Sequence, residues 1–346
     1  MRIAIDVMGG DNAPDAILDG ALDALDLLAA EDQLVLVGDR AVIEDVVAER
    51  GLQGDSRIVI DATTQVIEMS DSPVTAIRAK PDSSIVRIAK LGGRRGLTGE
   101  ADHCEIVISA GNTGAMVAAA QMSMRRLPGV HRPGIAIVLP TFHGPVVLCD
   151  VGANPGPRAT HLHQYGQMAA GYAEKMIGID NPRVALLSIG SEEAKGSSLV
   201  KEAAVFMRND PTLNYVGFVE GRDLFDGKAN VVISEGFTGN VVLKLAEGLA
   251  AGLFKTIAAE ILEHDPELAA RFEPVVKSIY KKHDYHEYGG APLLGANGIC
   301  VICHGSSEAR SIYAAVRTAV RYAHLNVNQE IVDAVNQPQT VDEGAA

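Results

Sequence analysis

The sequence has no tryptophan, and aromatic residues make up 4% of its 346 positions. A core made without rings has to come from Val, Ile, Leu and Ala. The apolar fraction of 47% is enough for one large core or two modest ones. Four cysteines are too few for a disulfide scaffold in a chain of this length. Cys300 and Cys303 form a lone Cys-x-x-Cys on an apparent strand, where positions i and i+3 point to opposite faces. With no second pair, they read as small buried hydrophobes. His161 and His163 stand two apart on a helix and cannot share a metal. Neither a metal site nor a cofactor is expected. No apolar run approaches the roughly 18 residues of a spanning helix. The opening segment MRIAIDVMGGDNAPD lacks the longer apolar stretch of a signal peptide, so a cytoplasmic location is expected. Basic residues are also scarce, 30 against 44 acidic ones for a net charge of −14. That balance argues against a nucleic-acid partner, which needs clustered Lys and Arg. It also argues against adhesion to anionic membranes through the overall field.

Glycine is abundant, at 35 residues, as many tight strand-to-helix turns require. Short apolar runs alternate with amphipathic segments along the chain. Residues 2–7, 34–37, 57–60, 105–108, 183–187, 215–219, 230–233 and 299–303 read as strands, and 134–139 with 145–149 as a hairpin about His143-Gly144. Helices are expected after Asn12, read as an N-cap with Pro14 in the first turn, and around 41–49, 160–178, 198–208, 237–263 and 306–324. Near-continuous apolar strands alternating with helices indicate an α/β chain with a mostly parallel sheet covered on both faces. Right-handed crossovers would place the strand-to-helix loops at one sheet edge, where ligands bind in open α/β sheets. A single catalytic domain is expected over 1–335, with a frayed polar tail at 336–346. Within it, 249–288 would project as a helical hairpin broken at Asp265-Pro266.

Six strand ends feed loops of Gly, Ser, Asn, Asp and Thr. They are Asp6–Asp11, Ser109–Gly114, Asp150–Asn154, Ser188–Lys195, Ser234–Asn240 and His304–Ser307. Several lead directly into helices, whose unpaired N–H groups and positive dipole ends suit phosphate. None matches the dinucleotide fingerprint or the Walker A loop. Lys195 stands just before a helix, where a cation is disfavoured unless an anion is present. It reads either as a phosphate clamp or as a solvated loop residue.

Taken together, Ala4–Asp11, Ser109–Ala115, Asp150–Asn154, Gly190–Gly196, Gly236–Asn240, 288–298 and His304-Gly305 resemble the PlsX family of bacterial phosphate acyltransferases along nearly the whole chain. Two departures stand out. Glu235 replaces a usual Asp, and 96–105 is longer than typical. The resemblance implies a three-layer α/β/α sandwich similar to phosphotransacetylases and the isocitrate dehydrogenase type. It further implies a homodimer, a long-chain acyl-ACP donor, and an acyl phosphate product destined for phospholipid synthesis.

Such a reaction needs no strong base, because phosphate is already anionic and a thiolate leaves readily. It needs phosphate held beside the thioester and donors for the oxyanion. Lys195 is assigned to phosphate or the oxyanion, Asn240 to the thioester carbonyl or the oxyanion, and His304 either to a proton for the leaving thiolate or to a capping or core role. Ser109, Asn112, Thr113 and Gly114 would bind phosphate, together with Asp6, Gly9, Gly10, Gly152 and Gly239 in the neighbouring loops. Asp150 and Asn154 would organise the site. The acidic acyl carrier protein would need a local basic patch: Arg94-Arg95, Arg125-Arg126 with Arg132, or Lys277 with Lys281-Lys282. Leu249, Leu253, Phe254, Ile257, Ile261 and Leu262 form an apolar stripe at helical spacing. It suits core packing, a dimer mate or a bilayer interface. The rival readings are a phosphotransacetylase on short acyl-CoA, a non-catalytic acyl-ACP-binding protein and an NAD-dependent dehydrogenase.

Overall fold

Runs of Ile, Val and Leu become strands here because β-branched side chains suit a surface buried on both faces. The computed structural model describes residues 1–93, 102–265, 267–268, 271–275 and 289–337. The strands are β1 (Arg2–Asp6), β2 (Gln33–Gly38), β3 (Ile58–Ala62), β4 (Ile106–Ser109), β5 (Gly134–Leu139), β6 (Val146–Cys149), β7 (Arg183–Leu187), β8 (Asn214–Val219), β9 (Val231–Ile233), β10 (Ala291–Leu294) and β11 (Ile299–Ile302). They form one sheet in the order β3-β2-β1-β4-β11-β10-β5-β6-β9-β7-β8.

The sheet has two parallel blocks. In the first, β3, β2, β1, β4 and β11 run together. In the second, β6, β9, β7 and β8 run together. Between them, β10 is antiparallel to both β11 and β5, and β5 is antiparallel to β6. The blocks therefore run in opposite directions. This corrects the expectation that all strand-to-helix loops share one edge. The reversal falls at the β5–β6 hairpin: the two antiparallel pairings of β10 cancel and leave β5 running with β11, while β6 runs against β5.

The helices are α1 (Asp15–Asp23), α2 (Arg40–Glu49), α3 (Pro73–Ala79), α4 (Ser84–Leu91), α5 (Thr113–Ser123), α6 (Ala159–Tyr172), α7 (Ser198–Arg208), α8 (Gly236–His264), α9 (Ala309–His324) and α10 (Val327–Val335). They cover both faces. Ile3, Ile5, Leu34 and Leu36 join the core shared with α1, α6 and α9, while Ala4, Val35 and Val37 face α4 and α5 on the other side. This is the period-2 alternation of strands, and it yields the expected three layers. The His143-Gly144 hairpin is present, with Ala136 opposite Cys149 and Leu139 opposite Val146.

Two local expectations change. Asn12 does not cap α1 through its side chain; its Nδ2 instead donates to the carbonyls of Ser306 and Ser307 at 3.2 and 3.3 Å. Asn336, placed at the start of a frayed tail, is anchored, donating to the Pro128 carbonyl at 3.0 Å. The break at Asp265 is present as the end of α8. The segment 276–288 of the expected hairpin and the tail from 338 lie outside the described residues.

Candidate active site

At the junction of the two blocks lies a cavity of about 310 Å³. Ends of strands from both blocks reach it, so opposed strand directions let two sets of loops converge on one space. Its lining includes the apolar residues Ile135, Ile137 and Val138 of β5, Val151, Leu243 and Ile302. It also includes Thr113 and Gly114 at the start of α5, Gly152, Asn240, Lys244 and His304.

Two buried carboxylates shape the loops without facing the cavity. Asp150 accepts from the backbone N–H groups of Ile135, Gly152, Ala153 and Asn154 at 2.8 to 3.1 Å. It also accepts from the Asn154 side-chain amide at 3.2 Å, and that amide reaches the Pro133 carbonyl at 2.7 Å. Burial pushes the Asp150 carboxyl upward against the pull of these donors. The amides of Gly152 and Ala153 thus turn toward the Asp150 carboxylate, and Asn154 links that carboxylate to the loop at Pro133. Asp6 does the same in the other block. It accepts from Ser109 Oγ at 2.7 Å and from the Met8 amide at 3.1 Å, and burial raises its carboxyl too.

The predicted phosphate ligands divide accordingly. Thr113, Gly114 and Gly152 line the cavity. Ser109 does not; its hydroxyl is buried, donating to Asp6 and accepting from the Gly111 amide at 3.0 Å. Asn112 caps α5 through the Ala115 amide and ties its own amide to the carbonyls of Glu68, Met69 and Asp71. Gly9 and Gly10 lie behind the cavity wall. A side chain at Gly9 would meet the Gly111 amide nitrogen at 2.8 Å, and the amide of Asp11 donates to Gly305 at 2.7 Å. Gly239 lets α8 press against the Asp150 carbonyl and Ser234, with no room for a Cβ. Lys195 is exposed on the loop after β7 and does not line the cavity.

Comparison with known sequences identifies the scaffold. The family described as fatty acid synthesis protein matches residues 1–330. The chain belongs to that family. A protein named phosphate acyltransferase from Heliobacterium modesticaldum is 44% identical, across 97% of both chains. One of the same name from Dictyoglomus turgidum is 39% identical, across 97% of this chain and 98% of its own. A phosphotransacetylase from Streptococcus pyogenes superposes with a TM-score of 0.59 at 16% identity, covering 96% of this chain and 94% of that one. The EutD phosphotransacetylase from Staphylococcus aureus gives 0.56 at 14% identity, covering 93% and 94%. These two likenesses establish the fold.

Within this family's chain, Glu235 proves to be an N-cap. Its carboxylate accepts from the Phe237 and Thr238 amides at 2.8 and 2.7 Å, so the longer side chain still serves the start of α8. Sequence reasoning missed Lys244 and Glu247. Lys244 Nζ lies 3.2 Å from His304 Nε2 and 3.7 Å from Glu247, and all three line the cavity. The signal was available. Asn240, Lys244 and Glu247 stand at i, i+4 and i+7, one helix face, and Asn240 was already a candidate.

Cys303 also lines the cavity, but burial pushes its thiol up to about 12, so it stays a neutral wall residue. Away from the cavity, His163 lies 2.6 Å from Asp210 and ties α6 to the end of α7. Arg125, Arg126, Arg132 and Arg158 are exposed. Arg126, Arg132 and Arg158 all lie close enough to His161 to act on it electrostatically, and among the described residues none of the four is ion-paired. Arg94-Arg95 and Lys277 with Lys281-Lys282 lie outside the described residues. Beyond its first turns, α8 is bare. Leu245 is 67% exposed, Leu249 59%, Leu253 54% and Ile257 45%. Among the described residues no helix is long and apolar enough to cross a membrane.

Proposed function

We propose that this chain transfers a long-chain acyl group from the thioester of an acyl carrier protein to inorganic phosphate, releasing acyl phosphate for phospholipid synthesis. The observation that carries the reading is one cavity whose lining combines apolar side chains with a helix N-terminus, an amide side chain and a cation. An acyl chain would lie along Ile135, Ile137, Val151 and Leu243. Its thioester carbonyl would meet Asn240, where a donor strengthens as the oxyanion forms. Phosphate would enter beside Thr113, Gly114 and His304, within reach of the carbonyl carbon. Lys195 joins the site if the loop after β7 folds over the mouth. The lining of Ile, Val and Leu favours a fatty acyl chain over the acetyl group of a short acyl-CoA substrate.

The carrier protein would dock on Arg125, Arg126, Arg132 and Arg158. Arg132 is three residues from Ile135, and Arg158 six from Gly152, so this basic ground adjoins cavity-lining segments in an otherwise acidic chain. Such docking weakens with salt. The bare ridge of α8 is assigned to a second copy of the chain and to peripheral contact with the inner membrane face.

Long-chain acyl-ACP incubated with and without phosphate tests the reading, with hydroxylamine trapping any acyl phosphate as hydroxamate. Phosphate-dependent hydroxamate is the expected result. Binding without thioester loss would instead indicate a non-catalytic carrier-protein binder, and activity confined to acetyl-CoA would indicate a phosphotransacetylase.

A further inference from the structure

We infer that Lys244 is the catalytic cation of the cavity: its ammonium holds the attacking phosphate and supplies the proton taken by the departing thiolate. This rests on the reading of the cavity as a phosphate acyltransferase site. Three observations carry it.

The first is position. Lys244 lies one helical turn after Asn240 on the cavity side of α8, and it is the lysine among the cavity-lining residues. Phosphate and oxyanion both require positive charge at this lining, and Lys195 is not part of it.

The second is the contact with His304. Nδ1 of that ring is 2.8 Å from Ser306 Oγ and 3.2 Å from the Ser306 amide nitrogen. The Ser306 amide donates to Nδ1, which fixes the ring, and Nε2 of the same ring lies 3.2 Å from Lys244 Nζ. The ring therefore holds the Lys244 side chain at the cavity lining.

The third is Glu247. One oxygen lies 3.7 Å from Lys244 Nζ. The other is buried and has no hydrogen-bond partner among the described residues. A buried acceptor without a donor is costly. Hydrogenphosphate carries a P–O–H that can fill it while its anionic oxygens face Lys244.

The step balances as follows. A phosphate oxygen bonds to the thioester carbon, and the oxyanion collapses with loss of the C–S bond. The sulfur takes a proton from Lys244, and Lys244 recovers one from the P–O–H. Hydrogenphosphate and thioester thus become acyl phosphate dianion and free thiol.

The test is steady-state kinetics of hydroxamate formation by the full chain and its Lys244→Ala, Lys244→Met and Lys244→Arg variants, with phosphate and acyl-ACP varied separately. Thermal melting confirms folding, and the methionine and arginine variants keep the stem should alanine fail to fold. For Lys244→Ala and Lys244→Met, kcat/KM for phosphate should fall about 100-fold or more. KM for acyl-ACP should change little. Lys244→Arg should keep KM for phosphate within about 3-fold but lose kcat by about 10-fold or more, because a guanidinium binds phosphate yet holds its proton. An active wild type whose alanine or methionine variant stays within about 3-fold overturns the inference and leaves the function intact. So does an arginine variant with unchanged kcat. A wild type without phosphate-dependent hydroxamate overturns the functional reading itself.

Discussion

The two ends of α8 are built for different surroundings. At its start, Glu235 caps the first turn, Gly236 and Gly239 are buried against the Asp150–Asn154 loop, and Asn240, Lys244 and Glu247 look into the cavity. From Leu245 onward, the row Leu245, Leu249, Leu253 and Ile257 faces outward. One helix thus joins a buried, cavity-lining start to an exposed apolar ridge. On the proposed reading, chemistry would belong to the buried turns and association to the exposed ones.

Substitutions at the two ends should therefore separate in kind. The largest effect is expected at the support beneath the locked end. Asp150→Ala strands the backbone donors now aimed at its carboxylate and should cost about 3–5 kcal/mol, read as a lowered urea midpoint with loss of turnover. Asn240→Ala should leave that midpoint in place and lower kcat about 100-fold. Lys195→Ala acts from a loop outside the cavity lining, so its loss of turnover should be smaller, about 10-fold. Wild-type rates for both Asn240→Ala and Lys195→Ala would break the assignment of these residues. Leu253→Ser with Phe254→Ser, at the bare end, should change turnover on soluble acyl-ACP by less than about 2-fold, since surface changes leave the core intact. Flotation with liposomes should be lost. Unchanged flotation would remove the membrane role from the ridge and leave it to a second copy of the chain.

Much of the scaffold was legible because its signals are local. Runs such as Leu34–Val37 and Arg183–Leu187 are apolar throughout, and the turn at His143-Gly144 announces a hairpin. The order of the strands was not legible. It depends on β10, a four-residue strand whose partners, β11 and β5, are recognised by pairing and not by composition, and on the hairpin falling where the two blocks meet. The same limit governed the site. Gly152, Asn240 and His304, expected from loops rich in small polar residues, line the cavity. Lys244 was missed because a lysine inside a helix resembles any solvated one until the fold turns it toward His304. Ser109 and Asn112 show the converse. Their residue types suit an anion, yet their partners are Asp6 and the 68–71 carbonyls.

The most direct trial of the account is a crystal structure of the protein with orthophosphate and a thioether analogue of an acylated carrier arm. Phosphate should be found between the start of α5 and Lys244, within hydrogen-bonding distance of Nζ, with the acyl chain along Ile135 and Val151. Phosphate ordered elsewhere, with the analogue's chain outside that wall, would contradict the claim that the junction of the two blocks is where the acyl group changes hands.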